Sequence, residues 1–205
     1  LPYTLHNVAL RKNLPAPGEH LLSPQDLCAI DLLPELVEAG VTSFKIEGRM
    51  KTALYVATVA RTYRKAIDDY KKDPALYQKN MEWYKEEIGK CTYREFTTGF
   101  YFGKPTTDSQ IYDSNTYVKN YTYLGTVEEV REDGCCRIEQ KNKFSVAEQI
   151  EIMKPDGRNV LVTVKGITDE DGNAMESAPH PKQILWVDLG SEVSPYDILR
   201  RSEME

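Results

Sequence analysis

The hydrophobic period changes once along this chain, and that change limits the folds open to it. Between Thr52 and Pro74 the apolar residues Ala53, Val56, Ala57, Ala60, Tyr63, Ala66, Ile67 and Tyr70 recur at three- and four-residue spacing. That spacing marks an amphipathic helix, with Arg61, Arg64 and Lys65 on its other, solvated face. From about Ser109 the pattern shifts to short alternating or apolar runs, punctuated by turn signals at Asp133-Gly134, Pro155-Asp156-Gly157 and Asp169-Glu170-Asp171-Gly172-Asn173. Strands are expected over 121–130, 135–139, 149–153, 160–167 and 184–189. Several strands at this spacing predict a small closed barrel, which removes exposed edges. Further helices are expected to begin at Ser23-Pro24, at Pro34 and at Pro74, the last ending at Gly89 with Leu76, Trp83, Tyr84 and Ile88 on its packed side. The fold class read from this order is α+β.

Charged residues interrupt an apolar pattern in Ser43-Phe44-Lys45-Ile46-Glu47-Gly48-Arg49-Met50-Lys51. The run Val41 to Ile46 follows the helix stop at Gly40 and reads as a strand, so Lys45 and Glu47 share one face and Gly48 permits a sharp exit into the next helix. Lys45, Glu47 and Arg49 would then gather at a strand's carboxyl end, where α/β barrels and open α/β sheets carry their chemistry. The competing reading is a structural Lys45–Glu47 ion pair with Arg49 capping or solvating the turn.

Composition narrows the classes. The 205 residues carry a net charge of −6, with 10 Lys and Arg against 8 Asp and Glu in residues 1–72 and 16 against 24 in the remainder. A nucleic-acid contact must therefore be local rather than spread over the surface. No apolar run reaches the roughly 18 residues of a bilayer span, and the first residues lack the order of a secretory signal, so a cytoplasmic protein with no membrane association is expected. Four cysteines, two of them adjacent at Cys135 and Cys136, do not form a disulfide framework. The Pro-rich stretch from Asn13 to Gly18 reads as an irregular loop. Phosphate-loop, nucleophile-elbow and HExxH patterns do not occur, and His6, His20 and His180 lie far apart in sequence. The acidic turn at Asp169 lacks the closing Glu of a calcium loop and reads as a hairpin turn. Cys28 could offer a thiolate to a soft metal or cluster, or simply pack as a buried apolar side chain.

Longer motifs carry a resemblance. Ser23-Pro24-Gln25-Asp26-Leu27-Cys28, Leu33-Pro34-Glu35-Leu36, the segment Ser43 to Lys51 and Tyr63-Arg64-Lys65-Ala66-Ile67-Asp68 resemble the peptidase U32 family. Thr98-Gly99-Phe100, Lys141-Asn142-Lys143-Phe144-Ser145-Val146 and Glu151-Ile152-Met153-Lys154-Pro155-Asp156-Gly157 resemble the carboxyl-terminal barrel domain of its tRNA-hydroxylating branch. The resemblance covers most of the chain. It departs from the family at Ala147-Glu148, where Gly-Asp is expected.

The resemblance implies that residues 1–98 are a truncated, carboxyl-terminal fragment of an α/β (TIM-like) barrel with a helical extension, and that residues 99–205 form a β-barrel similar to those of translation factors. It implies an oxygen-independent hydroxylase that makes 5-hydroxyuridine in the tRNA anticodon loop, with prephenate, a small dicarboxylate, as hydroxyl donor. A 4Fe-4S cluster is implied too, with Cys28 as one ligand and the others upstream of Leu1, so the chain alone is expected to be catalytically incomplete. Lys45, Glu47 and Arg49 are the expected catalytic residues, Arg49 gripping a carboxylate or phosphate. Lys141, Lys143, Lys154 and Arg158 are the expected RNA contacts. The family's other label, collagenase-like protease, makes an endopeptidase the first alternative and a non-catalytic RNA- or protein-binding module the second. A truncated barrel exposes apolar edges, so a homo-oligomer or a rearranged segment 1–50 is expected.

Overall fold

The computed structural model describes residues 4–14, 23–106, 111 and 117–204. Of the loop expected from Asn13 to Gly18, Asn13 and Leu14 instead lie in a strand, while residues 15–18, and His20, lie outside the described residues. The chain divides into two compact units, residues 1–42 with 92–118, and residues 43–91 with 119–205. A single cut near residue 98 was expected from sequence; by packing, the helices of residues 53–88 group with the carboxyl-terminal strands.

The first unit opens with an antiparallel pair, β1 (Leu5–Asn7) and β2 (Lys12–Leu14). The helix expected at Ser23-Pro24 is absent. Its residues instead give β3 (Asp26–Leu27), which runs parallel to a later strand, β5 (Phe96–Thr97). The Asp26 amide donates to Glu95 O at 3.0 Å and the Cys28 amide to Thr97 O at 2.9 Å. The Asp26 carboxylate, a natural helix cap, accepts the Arg94 amide instead. A 3-10 turn at Ile30–Leu32 then leads into α1 (Leu33–Glu38), with Pro34 near its start as expected and Ile30 and Leu33 buried. A short strand, β4 (Thr92–Tyr93), precedes β5.

The second unit begins with an irregular segment. Residues 43–48 carry no strand ladder, so the strand expected over 41–46 is not formed among the described residues. A parallel strand needs hydrogen-bonded neighbours, and the described residues supply none there. The long helix α2 (Ala53–Lys72) follows as expected, capped by Thr52, whose Oγ1 accepts the Tyr55 amide. Its buried face differs from the expected one. Leu54, Thr58, Val59, Arg61, Thr62, Ala66 and Asp69 are buried, while Ala53, Val56 and Ala60 are exposed. The helix expected from Pro74 to Ile88 is split at Asn80 into α3 (Pro74–Lys79) and α4 (Met81–Ile88). Asp69 fastens the three helices together: Oδ2 accepts from Tyr84 Oη at 2.5 Å, Asn80 Nδ2 at 2.8 Å and Lys65 Nζ at 2.9 Å.

After β6 (Val118–Lys119) come β7 (Tyr121–Val130), β8 (Cys136–Glu139), β9 (Gln149–Met153), β10 (Asn159–Thr163), β11 (Gly166–Thr168), β12 (Ala174–Met175), β13 (Ile184–Asp188) and β14 (Ile198–Ser202). The last eight form one antiparallel sheet in the order β10-β9-β14-β7-β8-β13-β11-β12. Only Val164 and Lys165 separate β10, at one end of this order, from β11, next to the other end, so the sheet must curl. The curl encloses Leu124, Val127, Ile138, Phe144, Ile150, Ile152, Leu185 and Leu199, an apolar core drawn from alternate positions of the strands. Strand 160–167 of the sequence reading is two strands with a corner between them.

The loop after β8 gives a physical reason for the glycine expected at position 147. Ala147 has φ +66°, a left-handed conformation that costs an L-residue about 1–2 kcal/mol. The turn survives because the Ala147 amide donates to Val164 O, and the Glu148 carboxylate accepts the Ser145 amide at 2.8 Å and pairs with Arg201 at 2.5 Å. Ala147→Gly should therefore raise stability by about 1 kcal/mol, after allowing for glycine's greater unfolded-state freedom, and lift the melting temperature by ~2–4 °C. Thermal and urea melts measure this; an unchanged or lowered midpoint would mean the left-handed residue is not strained.

Candidate functional site

The segment Ser43 to Lys51 reaches α2 through a tight turn in which the Lys51 amide donates to Gly48 O at 3.0 Å. Gly48 lies against the helix it precedes: a Cβ there would sit 2.8 Å from Val56 Cγ2. That close approach explains a glycine between two charged residues. On this turn Lys45 Nζ stands 4.0 Å from Glu47 Oε2, and Glu47 Oε1 accepts the Arg49 backbone amide at 2.9 Å. Lys45, Glu47 and Arg49 are therefore adjacent, as the sequence spacing requires. All three side chains face solvent, and Met50 beside them is 91% exposed. Glu47 organises the turn through its two oxygens, and the Arg49 guanidinium, whose main chain is the part Glu47 holds, projects as a planar cation. Lys51 lies over the Tyr55 ring at 4.8 Å.

The four residues expected to touch RNA sit in two places. Lys141 and Lys143 are exposed on the loop after β8, with Lys141 paired to Glu139. Lys154 and Arg158 flank the β9–β10 turn. Lys154 is buried and its Nζ is 2.8 Å from Asp197 Oδ2, whose carboxylate also accepts the Ser194 amide. Arg158 is exposed and pairs with Asp156 at 2.7 Å. A phosphate approaching this turn would meet Arg158 first, because Lys154 is committed to a buried pair.

Cys28 is half-buried in the first unit. Among the described residues no group of three or more His, Cys, Asp and Glu side chains is placed to hold a metal ion. A four-iron cluster needs about four such donors, so the described residues do not build its site by themselves. Cys136 is buried, and desolvation pushes its thiol up to about 12, which makes it an inert core residue rather than a ligand.

A site that the sequence reading missed lies where α2 and α4 meet the sheet. Glu87 is fully buried, and its Oε1 accepts from Arg61 Nη2 and, at 2.7 Å, from Arg200 Nη2. Its Oε2 accepts Asn159 Nδ2 at 2.8 Å and lies 3.5 Å from Lys90 Nζ. Arg61 also donates from Nη1 to Lys154 O at 2.7 Å and Arg158 O at 3.3 Å, capping the β9–β10 turn. Arg200 donates from Nε to Glu151 at 2.7 Å and stacks on the Tyr121 ring at 5.0 Å. Arg61 was read as solvated, but its helix presents it to the strands. Nothing in a helical sequence ending Glu-Glu-Ile-Gly distinguishes a buried glutamate from a surface one.

Burial alone would push the Glu87 carboxyl up, yet the charges of Arg200 and Arg61 outweigh it and hold it below the ordinary 4.5. Desolvation draws the Arg61 guanidinium below its ordinary value while Glu87 raises it; an arginine stays protonated throughout the physiological range, so the cluster is ionic.

Two family models match this chain. Peptidase family U32 matches residues 1–111, and the peptidase family U32 C-terminal domain matches residues 119–200. The chain belongs to peptidase family U32. Among U32 relatives, "tRNA hydroxylation protein P1" of Bacillus subtilis is 37% identical over 183 residues, which is 89% of this chain and 43% of that protein. "tRNA hydroxylation protein P" of Escherichia coli is 30% identical over 90% of this chain and 40% of the relative. A "Collagenase" of Porphyromonas gingivalis is 26% identical over 97% of this chain and 54% of the relative. The chain thus spans about two fifths of the length of the tRNA hydroxylation proteins it matches. No helix among the described residues is long and apolar enough to cross a membrane.

The ion cluster makes a sharp prediction. Glu87→Gln leaves two buried arginines without their shared carboxylate and should cost about 3–5 kcal/mol, read from urea midpoints at pH 7. Because the folded carboxyl titrates below its unfolded value, its stabilisation is present above about pH 4.5 and is lost as pH falls through the lower folded value. The wild-type chain should therefore lose more stability than Glu87→Gln does as the pH falls from about 5 to about 3. Parallel acid profiles for the two proteins would show that Glu87 is not the titrating group.

Proposed function

We propose that this chain is the carboxyl-terminal portion of a tRNA uridine hydroxylase that forms 5-hydroxyuridine in the anticodon loop. The observation that carries the reading is its 37% identity, over 89% of its length, to a protein named for tRNA hydroxylation. Residues 1–98 would belong to an α/β barrel completed elsewhere in a longer protein, and the curled sheet would serve as a translation-factor-like barrel that positions tRNA.

In this reading Arg49 binds an anion on the solvent side of the turn. Its fork of donors suits either a carboxylate of prephenate, the proposed hydroxyl donor, or an RNA phosphate. Lys45 adds a point charge to the same anion, and Glu47 fixes the turn by accepting the Arg49 amide. A dicarboxylate donor suits a site with two cations better than one. Lys141, Lys143 and Arg158 would contact phosphates, with Lys154 holding the β9–β10 turn through Asp197. Cys28 would supply one thiolate to a 4Fe-4S cluster whose other ligands lie outside the described residues. A homo-oligomer would cover apolar surface such as Val56 on α2.

A second reading is favoured by the Porphyromonas relative named collagenase: an endopeptidase, with the chemistry carried outside the described residues. Gelatin cleavage by the purified longer protein, abolished by a single site substitution, would favour it.

The hydroxylase reading is tested at Arg49. Removing a charge-assisted anion contact worth about 1.5–3 kcal/mol should lower tRNA 5-hydroxyuridine about 10- to 100-fold in cells whose only copy of the gene encodes Arg49→Ala. Arg49→Lys should fall between the two. Nucleoside mass spectrometry reads both, and wild-type levels in Arg49→Ala cells would remove Arg49 from the site.

A further inference from the structure

The loop after β5 forms a second surface that the charged turn does not explain. The Gly99 amide donates to Thr97 Oγ1 at 3.1 Å, the Tyr101 amide to Thr98 O at 3.3 Å and the Gly103 amide to Phe100 O at 3.1 Å. These bonds wind residues 98–103 into successive turns, with Gly99 and Gly103 at φ +59° and +118°. The turns hold three consecutive aromatic side chains outward: Phe100, Tyr101 and Phe102 are 78%, 51% and 79% exposed. Burying a large apolar side chain stabilises by roughly 1.5–3 kcal/mol, a gain forgone here at three adjacent positions. Scattered exposed aromatics are ordinary, but a contiguous set on an ordered turn marks a contact surface.

Phe100 and Tyr101 also wall a cavity of about 690 Å³, together with Leu27, Thr97, Gln25 and Lys104. That volume falls within the roughly 300–1,000 Å³ of small-ligand clefts. Its polar lining is sparse and partly engaged: Gln25 Nε2 donates to Glu95 at 3.2 Å and Thr97 Oγ1 accepts the Gly99 amide. Lys104 supplies the cation of the lining. Aromatic faces next to a lysine match a group that is flat, apolar on its faces and tethered to an anion. An unstacked nucleotide has that character, its base stacking on an aromatic ring and its phosphate meeting an ammonium. An apolar peptide would use the rings and leave the cation idle.

We propose that this cavity receives an unstacked base of single-stranded RNA, stacked on Phe100, with the adjoining phosphate on Lys104. The inference rests on the tRNA reading above and adds to it a base-holding site remote in sequence from Arg49.

The test is fluorescence anisotropy of fluorescein-labelled hexauridylate titrated with the full chain. Phe100→Ala should weaken binding ~5- to 150-fold, the span expected for one lost stack. Phe100→Trp should bind within about twofold of wild type and Phe100→Leu should be as weak as Phe100→Ala, because stacking needs a ring and apolar burial does not. Lys104→Ala should lower the slope of log affinity against log salt by about 0.7, one phosphate's share. Phe100 and Lys104 lie on the surface, and a circular dichroism spectrum checks that each variant is folded. Wild-type binding by Phe100→Leu would overturn the proposal in favour of an apolar, protein-like partner. Binding indifferent to both residues would overturn it as well. Nucleoside mass spectrometry of deletion cells, run alongside, separates the two levels: gene-dependent 5-hydroxyuridine with indifferent binding sinks only the base site, whereas gene-independent 5-hydroxyuridine sinks the tRNA reading beneath it.

Discussion

Glu87 is a buried carboxylate whose removal from water would be untenable without the two guanidinium groups that meet it. Arg61 comes from the middle of α2, Arg200 from β14, and Glu87 from the last turn of α4, so one ionic cluster joins the helices to the strands of the second unit. Arg61 extends the cluster to the carbonyls of Lys154 and Arg158, and Arg200 extends it to Glu151 on β9. Both arginines reach the Glu87 carboxylate through directional Nη2 bonds that an apolar contact lacks. A helix seated on such a cluster can take one rotation and one depth only. The cluster holds α2 against the strands, and the Thr52 cap begins that helix just after the turn that carries Lys45, Glu47 and Arg49.

That dependence explains why the sequence reads well at some positions and poorly at others. Local signals were sufficient where a backbone group needs a particular neighbour: Thr52 caps α2, Pro34 opens α1, and the Asp-Gly and Pro-Asp-Gly pairs turn the hairpins. They failed where tertiary partners decide. The face of α2 was misread because the periodic alanines suggested a core stripe, while Arg61 and Asp69 are buried with their counter-charges. The strand β14 went unread because Arg200 and Arg201 sit in it, and a buried arginine looks like a surface one in sequence. Ser23-Pro24 carries a helix-start signature, yet β5 captures the backbone of Asp26 and Cys28 from almost seventy residues away.

The charged turn was legible in a different measure. The spacing of Lys45, Glu47 and Arg49 placed them together, and the structure adds that Glu47 holds the Arg49 main chain and leaves its guanidinium outward. The expected RNA cations were legible only as charges. Burial separates Lys154, which is structural, from Lys141, Lys143 and Arg158, which face solvent. The exposed aromatic turn had appeared only as a family motif, Thr98-Gly99-Phe100. Its two left-handed glycines and its cavity are properties of folded backbone, and no hydrophobic period announces them.

Family membership, the cationic turn and the aromatic cavity all bear on the proposed tRNA role. The proposed hydroxylation of tRNA uridine is tested most directly by the 5-hydroxyuridine content of tRNA from cells with the gene deleted and with it restored. The nucleoside should disappear on deletion and return with the intact gene. An unchanged level in the deletion strain would contradict the proposed hydroxylation.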